Sequence, residues 1–145
     1  VYKIENMKKR EPISHIMTKN VITLNVTDSL AKAENVMEEN DIRHIPVVSG
    51  KKLVGMLSLT DIKRVSYVDS FNGNNTGIDT AVNSLLSIPQ VMVVHPETIT
   101  TEETVRDAAK LLAKKEYHAL PVVENDELVG IVTTTDLIQY LLEQY

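Results

Sequence analysis

The chain has 145 residues, 43% of them hydrophobic and 24% charged, with a net charge of −5 and no cysteine. That length can bury a core without staples. The missing cysteine excludes disulfides, thiolate catalysis and Cys-ligated zinc, and the acidic balance argues against a broad nucleic-acid surface, where Lys and Arg must replace counterions. No apolar run approaches the roughly 20 residues that cross a bilayer, so a soluble cytoplasmic protein with no membrane partner is expected. Because it opens on Val1 rather than Met, the chain is expected to lack one or more leading residues. The basic cluster Lys8-Lys9-Arg10 reads as a solvated tail.

Residues 1–12 are polar and read as an N-terminal extension. Ile13, Ile16 and Met17 then recur at helical spacing, followed by an extended Val21-Ile22-Thr23-Leu24. A helix is predicted next, capped by Asn25 or Thr27, with Asp28 in its first turn, Leu30, Ala33, Val36 and Met37 on its apolar face, and Asn40-Asp41 as its end. Ile45 to Val48 and Lys52 to Ser58 are Val/Ile-rich runs joined across Ser49-Gly50-Lys51, the pattern of a hairpin whose strands are buried on both faces. A second helix starts near Thr60. From Val68 to Gly77 the pattern breaks into an Asn/Gly-rich loop, and a short helix over Ala81 to Leu86 leads back into order.

Then the chain repeats itself. A displacement of 75 residues pairs Ile13 with Ile88, Met17 with Met92, Thr23 with Thr98 and Ala33 with Ala108. It also pairs Pro46-Val47-Val48 with Pro121-Val122-Val123, Leu53-Val54-Gly55 with Leu128-Val129-Gly130, and Thr60-Asp61 with Thr135-Asp136. Thr100 and Glu103 are expected to form the capping box of the second copy's first helix. The expected architecture is therefore α/β (α+β), two β-α-β-β-α repeats packed about a pseudo-twofold axis. The first repeat spans 13–67, a linker with a short helix 68–87, and the second repeat 88–145.

Ser58-x-x-Asp61 and Thr133-x-x-Asp136 admit two readings. Each is a helix start, with a hydroxyl cap and an acid at the positive end of the dipole. Each also puts a carboxylate beside helix-terminal amides, where it can accept both hydroxyls of a ribose while a phosphate approaches the terminus. His44 and His118 lack the converging ligands a zinc ion needs, so no metal is expected. His15 and His95 read as surface or hydrogen-bonded residues, and Lys63 and Arg64 as a solvated helix face with reach toward a phosphate as the alternative. No Gly-x-Ser-x-Gly, P-loop or dinucleotide fingerprint is present, and no enzymatic activity is expected. Gly55 and Gly130, single glycines within strands, point to a close backbone approach or a bulge.

These stretches together resemble the CBS domain, named after cystathionine β-synthase, in its tandem form, the Bateman module. The resemblance covers nearly everything from Pro12 to Leu142. It rests on Ile16-Met17-Thr18 with Val21-Ile22-Thr23, on His44-Ile45-Pro46-Val47-Val48, on Leu53-Val54-Gly55, and on the Ser/Thr-x-x-Asp close. It implies two sites in the cleft between repeats that bind adenosine-containing ligands (AMP, ADP or ATP, sometimes S-adenosylmethionine or dinucleotides) as regulators, with no cofactor required.

By position, the resemblance makes Asp61 and Asp136 the ribose acids, with Ser58 and Thr133 beside them. Arg43 and His44 become the phosphate-facing cations of the first copy. The second copy has His118 and Ala119 there, and Ile138 and Gln139 where the first has Lys63 and Arg64, so the first copy is the more basic one. Ile42, Ile45, Tyr117 and Leu120 would line the adenine slot with Thr18 and Val21. A homodimer through the helices and an unidentified effector protein are further implied. The alternative is an interaction module whose nucleotide sites are vestigial, dimerising without a ligand.

Overall fold

The computed structural model describes residues 10–71, 86–114 and 118–145. Lys8 and Lys9, the greater part of the Asn/Gly-rich loop, the helix expected from Ala81, and Tyr117 lie outside the described residues.

The chain packs as two units, one comprising Ile22–Pro96 and the other the stretch up to Val21 together with Glu97–Tyr145. Packing and sequence repeat are offset. The stretch that opens each repeat in sequence packs in the unit of the other repeat.

In the Ile22–Pro96 unit, β1 (Leu24–Asn25) runs parallel to β2 (His44–Ser49), with α1 (Leu30–Glu39) between them. β2 turns back antiparallel into β3 (Lys52–Ser58), which leads into α2 (Leu59–Phe71). The unit closes with α3 (Ile88–Val91) and β4 (Val93–Val94), the latter antiparallel to β3 through Gly55↔Val94 and Met56↔Val93. The core is Leu24, Leu30, Ala33, Met37, Ile45, Val47, Leu57, Ile62 and Ile88.

The second unit repeats this order. β5 (Ile99–Thr100) is parallel to β6 (Ala119–Glu124), α4 (Val105–Lys114) joins them, and β6 is antiparallel to β7 (Glu127–Thr133), which leads into α5 (Thr134–Glu143). A short 3₁₀ turn at Ile13–His15 stands where the first unit has α3. Thr18 bridges antiparallel to Ile131, as Val93 does to Met56. The β-α-β-β-α order expected from sequence is present in each unit.

Both hairpins carry the same irregularity. The register slips between Val47 and Val48 opposite Gly55 and Leu53, and between Val122 and Val123 opposite Gly130 and Leu128. Val54 and Val129 are the extra residues of these bulges, which increase local twist. The turns are chemically different solutions to one requirement, since tight hairpins need positive φ. Gly50 supplies it at +64° in one, and Asn125 and Asp126 at 52° and 65° in the other.

Several local expectations shift. Ser29, not Asn25 or Thr27, caps α1, its Oγ accepting from Lys32 N at 3.1 Å. Asn25 and Thr27 lie in the turn ahead of it: Asp28 Oδ2 accepts from Asn25 N at 2.8 Å, and Asn25 Oδ1 from Thr27 N at 3.0 Å. The second copy does the same with Glu103 and Thr100 at 2.7 Å, so that pair forms the preceding turn. The capping box of α4 is Thr104 with Asp107. The strand expected from Val21 is confined to Leu24–Asn25. α2 runs through Val68 to Phe71, because neither Gly nor Pro interrupts the chain before Gly73.

Candidate functional site

In each unit the hairpin leads into the N-terminus of a helix, α2 or α5, and the candidate acids stand there. In one unit Thr133 caps α5: its Oγ1 accepts from Asp136 N at 3.1 Å, and Asp136 Oδ2 accepts from Thr133 N at 2.8 Å. In the other, Ser58 Oγ accepts from Asp61 N at 3.1 Å. Both acids are half-buried. The helix-start reading is thus realised in both copies, and it leaves Asp136 Oδ1 with no partner among the described residues.

The first amide of each helix is also engaged. Leu59 N donates to Arg43 O at 2.8 Å, and Thr134 N to His118 O at 3.0 Å. The third amide is held by the cap, so only Thr60 N and Thr135 N among the first three are without a described partner. A single free amide is a weak anion cradle compared with a full turn of them. Phosphate recognition in either unit would therefore fall to side chains.

Those side chains differ between the units. Arg43 is exposed just ahead of β2, and its own carbonyl anchors the first amide of α2. His44 is half-buried at the start of that strand, and Lys63 is exposed on α2. Arg64, 70% exposed, reaches Asp61 Oδ1 at 3.7 Å, a long contact open to solvent that adds little stability. In the other unit His118 is exposed, Ala119 is buried and uncharged, and Ile138 and Gln139 are exposed.

Two residues expected in the adenine slot are elsewhere. Ile45 and Leu120 are 0% exposed, each within the apolar core of its own unit, because their strand positions face the helices. They have no surface to offer a ligand. Ile42 is half-buried against the first of these cores. Tyr117 lies outside the described residues.

Thr18 is exposed, and Val21 half-buried. Thr18 exchanges two backbone bonds with Ile131, at 2.8 and 3.0 Å, two residues from the Thr133 cap. It therefore belongs with Asp136, not with Asp61. The matching positions beside Asp61 are Val93 and Pro96, which the 75-residue displacement could have supplied from sequence. His15 is held by Glu11, Nδ1 to Oε1 at 2.7 Å. Among the described residues no cluster of His, Asp and Glu could hold a metal ion, and no helix is long and apolar enough to cross a membrane.

Comparison with known proteins gives this geometry a context. The CBS domain family model matches residues 13–67 and 88–143. The CBS domain-containing protein YhcV of Bacillus subtilis is 28% identical, over 86% of this chain and 81% of its own length. The inosine-5′-monophosphate dehydrogenase of Korarchaeum cryptofilum is 33% identical over 82% of this chain but only 22% of its own length. Other curated relatives are likewise longer, the chain spanning between 27% and 46% of three of them. Among solved structures, the CBS domain pair of protein MJ0100 in complex with 5′-methylthioadenosine and S-adenosyl-L-methionine superimposes with a TM-score of 0.72. It is 25% identical and covers 90% of this chain and 98% of that one. With two family matches, a repeated β-α-β-β-α order and matched helix-terminal acids, this chain belongs to the CBS domain family as a tandem pair.

Proposed function

We propose that the chain is a regulatory, non-catalytic module that binds adenosine-containing ligands of the AMP, ADP, ATP or S-adenosylmethionine type at Asp61 and Asp136. The observation that carries this reading is Asp136: its Oδ2 is committed to the helix cap while Oδ1 has no partner among the described residues. A carboxylate fixed by one oxygen and open at the other is preorganised to accept a ribose hydroxyl. The likeness to a CBS pair whose ligands are a thioether nucleoside and a sulfonium nucleoside supports the adenosine class. Thr18 and Val21 would flank the ligand at Asp136, and Val93 and Pro96 the ligand at Asp61. Arg43, His44 and Lys63 make the Asp61 side the one suited to phosphates. Ligand binding acts by shifting populations of conformations that an effector protein reads.

The outer face of α5 supports a homodimer. Ile138, Leu141 and Leu142 follow helical spacing and are 54, 46 and 66% exposed. This stripe also favours a second reading, a ligand-independent interaction module. A thermal-shift and calorimetric panel separates the two. Ligand at 100 times Kd adds about 2.7 kcal/mol of stability, whereas the module without a ligand shows no shift with any adenosine compound and a dimer indifferent to all of them.

A further inference from the structure

Ile13 and Ile88 are fully buried, each in the core of its unit, and four residues later Met17 and Met92 fold back so that their amides donate to the Ile13 and Ile88 carbonyls at 3.0 and 2.9 Å. Each methionine side chain then lies over a strand glycine. A Cβ on Gly130 would run into Met17 Sδ and Cγ, and a Cβ on Gly55 into Met92 Sδ, Cε and Cγ. Neither glycine has a left-handed φ, so the requirement is for space. Each notch also sits at the bulge of its hairpin. The residue after each methionine, Thr18 or Val93, pairs with the strand residue that follows the glycine, Ile131 or Met56. From there it is two residues to the cap of the helix that carries the acid.

We propose that Met17 and Met92 are positioning residues for the ligand sites: each inserts its thioether into a glycine notch and thereby fixes the segment beside Asp136 or Asp61. The inference rests on the adenosine-binding reading for its consequence, though not for its geometry. The unbranched, flexible thioether suits the role, because it can fill an irregular gap. The two notches differ in one respect. At Gly130 the added methyl would also press on the Thr18 carbonyl oxygen at 3.1 Å, whereas at Gly55 its three nearest neighbours are all atoms of the movable Met92 side chain. A methyl at Gly55 therefore displaces the thioether, whereas one at Gly130 also displaces the backbone of the segment.

The test has a ligand-free arm and a ligand arm, both on the full chain. In the first, amide exchange at Thr18 and Ile131 is followed in wild type, Gly130→Ala and Met17→Ala, with Met17→Leu as the conservative variant if either fails to fold. Exchange should accelerate at least about tenfold at these two amides relative to those of β6, a local opening. Unchanged protection in the folded variants overturns the proposal. In the second arm, S-adenosyl-L-methionine, 5′-methylthioadenosine and AMP are titrated by calorimetry. Affinity should fall about tenfold, or 1.4 kcal/mol, in Gly55→Ala and in Met92→Ala, with no further fall in Gly55→Ala/Met92→Ala, because both changes remove the same contact. Gly130→Ala should weaken binding with no recovery on adding Met17→Ala. If wild type binds none of the three, the adenosine reading fails and the exchange arm alone decides the positioning claim. If wild type binds and the folded variants bind equally well, the positioning claim fails and the adenosine reading stands.

Discussion

Along the chain around Asp61 stand Arg43, His44, Lys63 and Arg64; the matching positions around Asp136 are His118, Ala119, Ile138 and Gln139. Beneath that difference the two units agree closely. Both have the hairpin bulge at the second of two valines, a glycine opposite the first, a hydroxyl cap, and the first helical amide tied to the carbonyl just ahead of the strand. The agreement is what packing demands, and the Asp136 carboxylate is explained by capping before any ligand is invoked, whereas Asp61 shares the hydroxyl cap through its backbone amide alone. The rim has no such explanation. Ligand choice is therefore to be sought where the copies diverge, with the acid as the part common to both sites.

The largest effect expected is on the frame. Ile45→Ala and Leu120→Ala should each destabilise the fold by about 2–5 kcal/mol, the range for emptying a packed core site, when read by denaturant unfolding. Folded protein should keep its ligand affinity. A small loss of stability with a large loss of affinity would return either residue to the ligand slot. The rim comes next. Arg43→Ala should weaken a phosphorylated adenosine ligand by about tenfold or more, since hydrogen bonds to charged groups contribute about 1.5–3 kcal/mol. The unphosphorylated nucleoside should be unaffected, and equal losses for both would remove Arg43 from phosphate recognition.

Smaller still are the caps. Ser58→Ala and Thr133→Ala should each cost about 1 kcal/mol, and similar values would show that the two helix starts carry equal structural weight. A clear inequality would mean that one cap serves chiefly the site. Acid pH probes one group in each unit. The Asp28 carboxyl is held below its ordinary 3.8 mainly by the Asn25 amide, with Lys32 assisting, and Asp107 below the same value by the Thr104 amide and hydroxyl. Lowered folded values mean that their stabilisation is complete above the unfolded value and lost as pH falls through the folded ones. Both units should thus weaken together below about pH 4. In Asp28→Asn and Asp107→Asn that slope should flatten, and an unchanged slope would assign the acid sensitivity to other groups.

Much of the frame was legible because duplication tested each motif twice. The hairpins, the end of α1 at Asn40, and a bulge beside each strand glycine follow from residue type and spacing alone. What escaped was contact across the sequence. Nothing local in Ile13–Thr18 says that it packs with residues beyond Glu97, so Thr18 could not be assigned to Asp136. Ile45 and Leu120 illustrate the limit of strand reading, where continuous apolar runs hide which face each side chain takes. The caps erred by one turn, because at Asn25 and Thr100 the backbone amide donates to an acid three residues on, which mimics a cap in the turn before the helix, while Ser29 and Thr104 cap the helix itself.

The central claim, that these paired acids hold adenosine ligands, is tested most directly by calorimetry of the full chain and of its Asp61→Asn and Asp136→Asn variants. Asparagine preserves an oxygen for the Thr133 amide and removes the charge, so the cap persists while the ribose contact weakens. The ligands are 5′-methylthioadenosine, S-adenosyl-L-methionine, AMP, ADP and ATP. The account predicts saturable binding of at least one of them, weakened by at least one of the two substitutions. Folded protein that binds none, or binding that survives both substitutions unchanged, would contradict it.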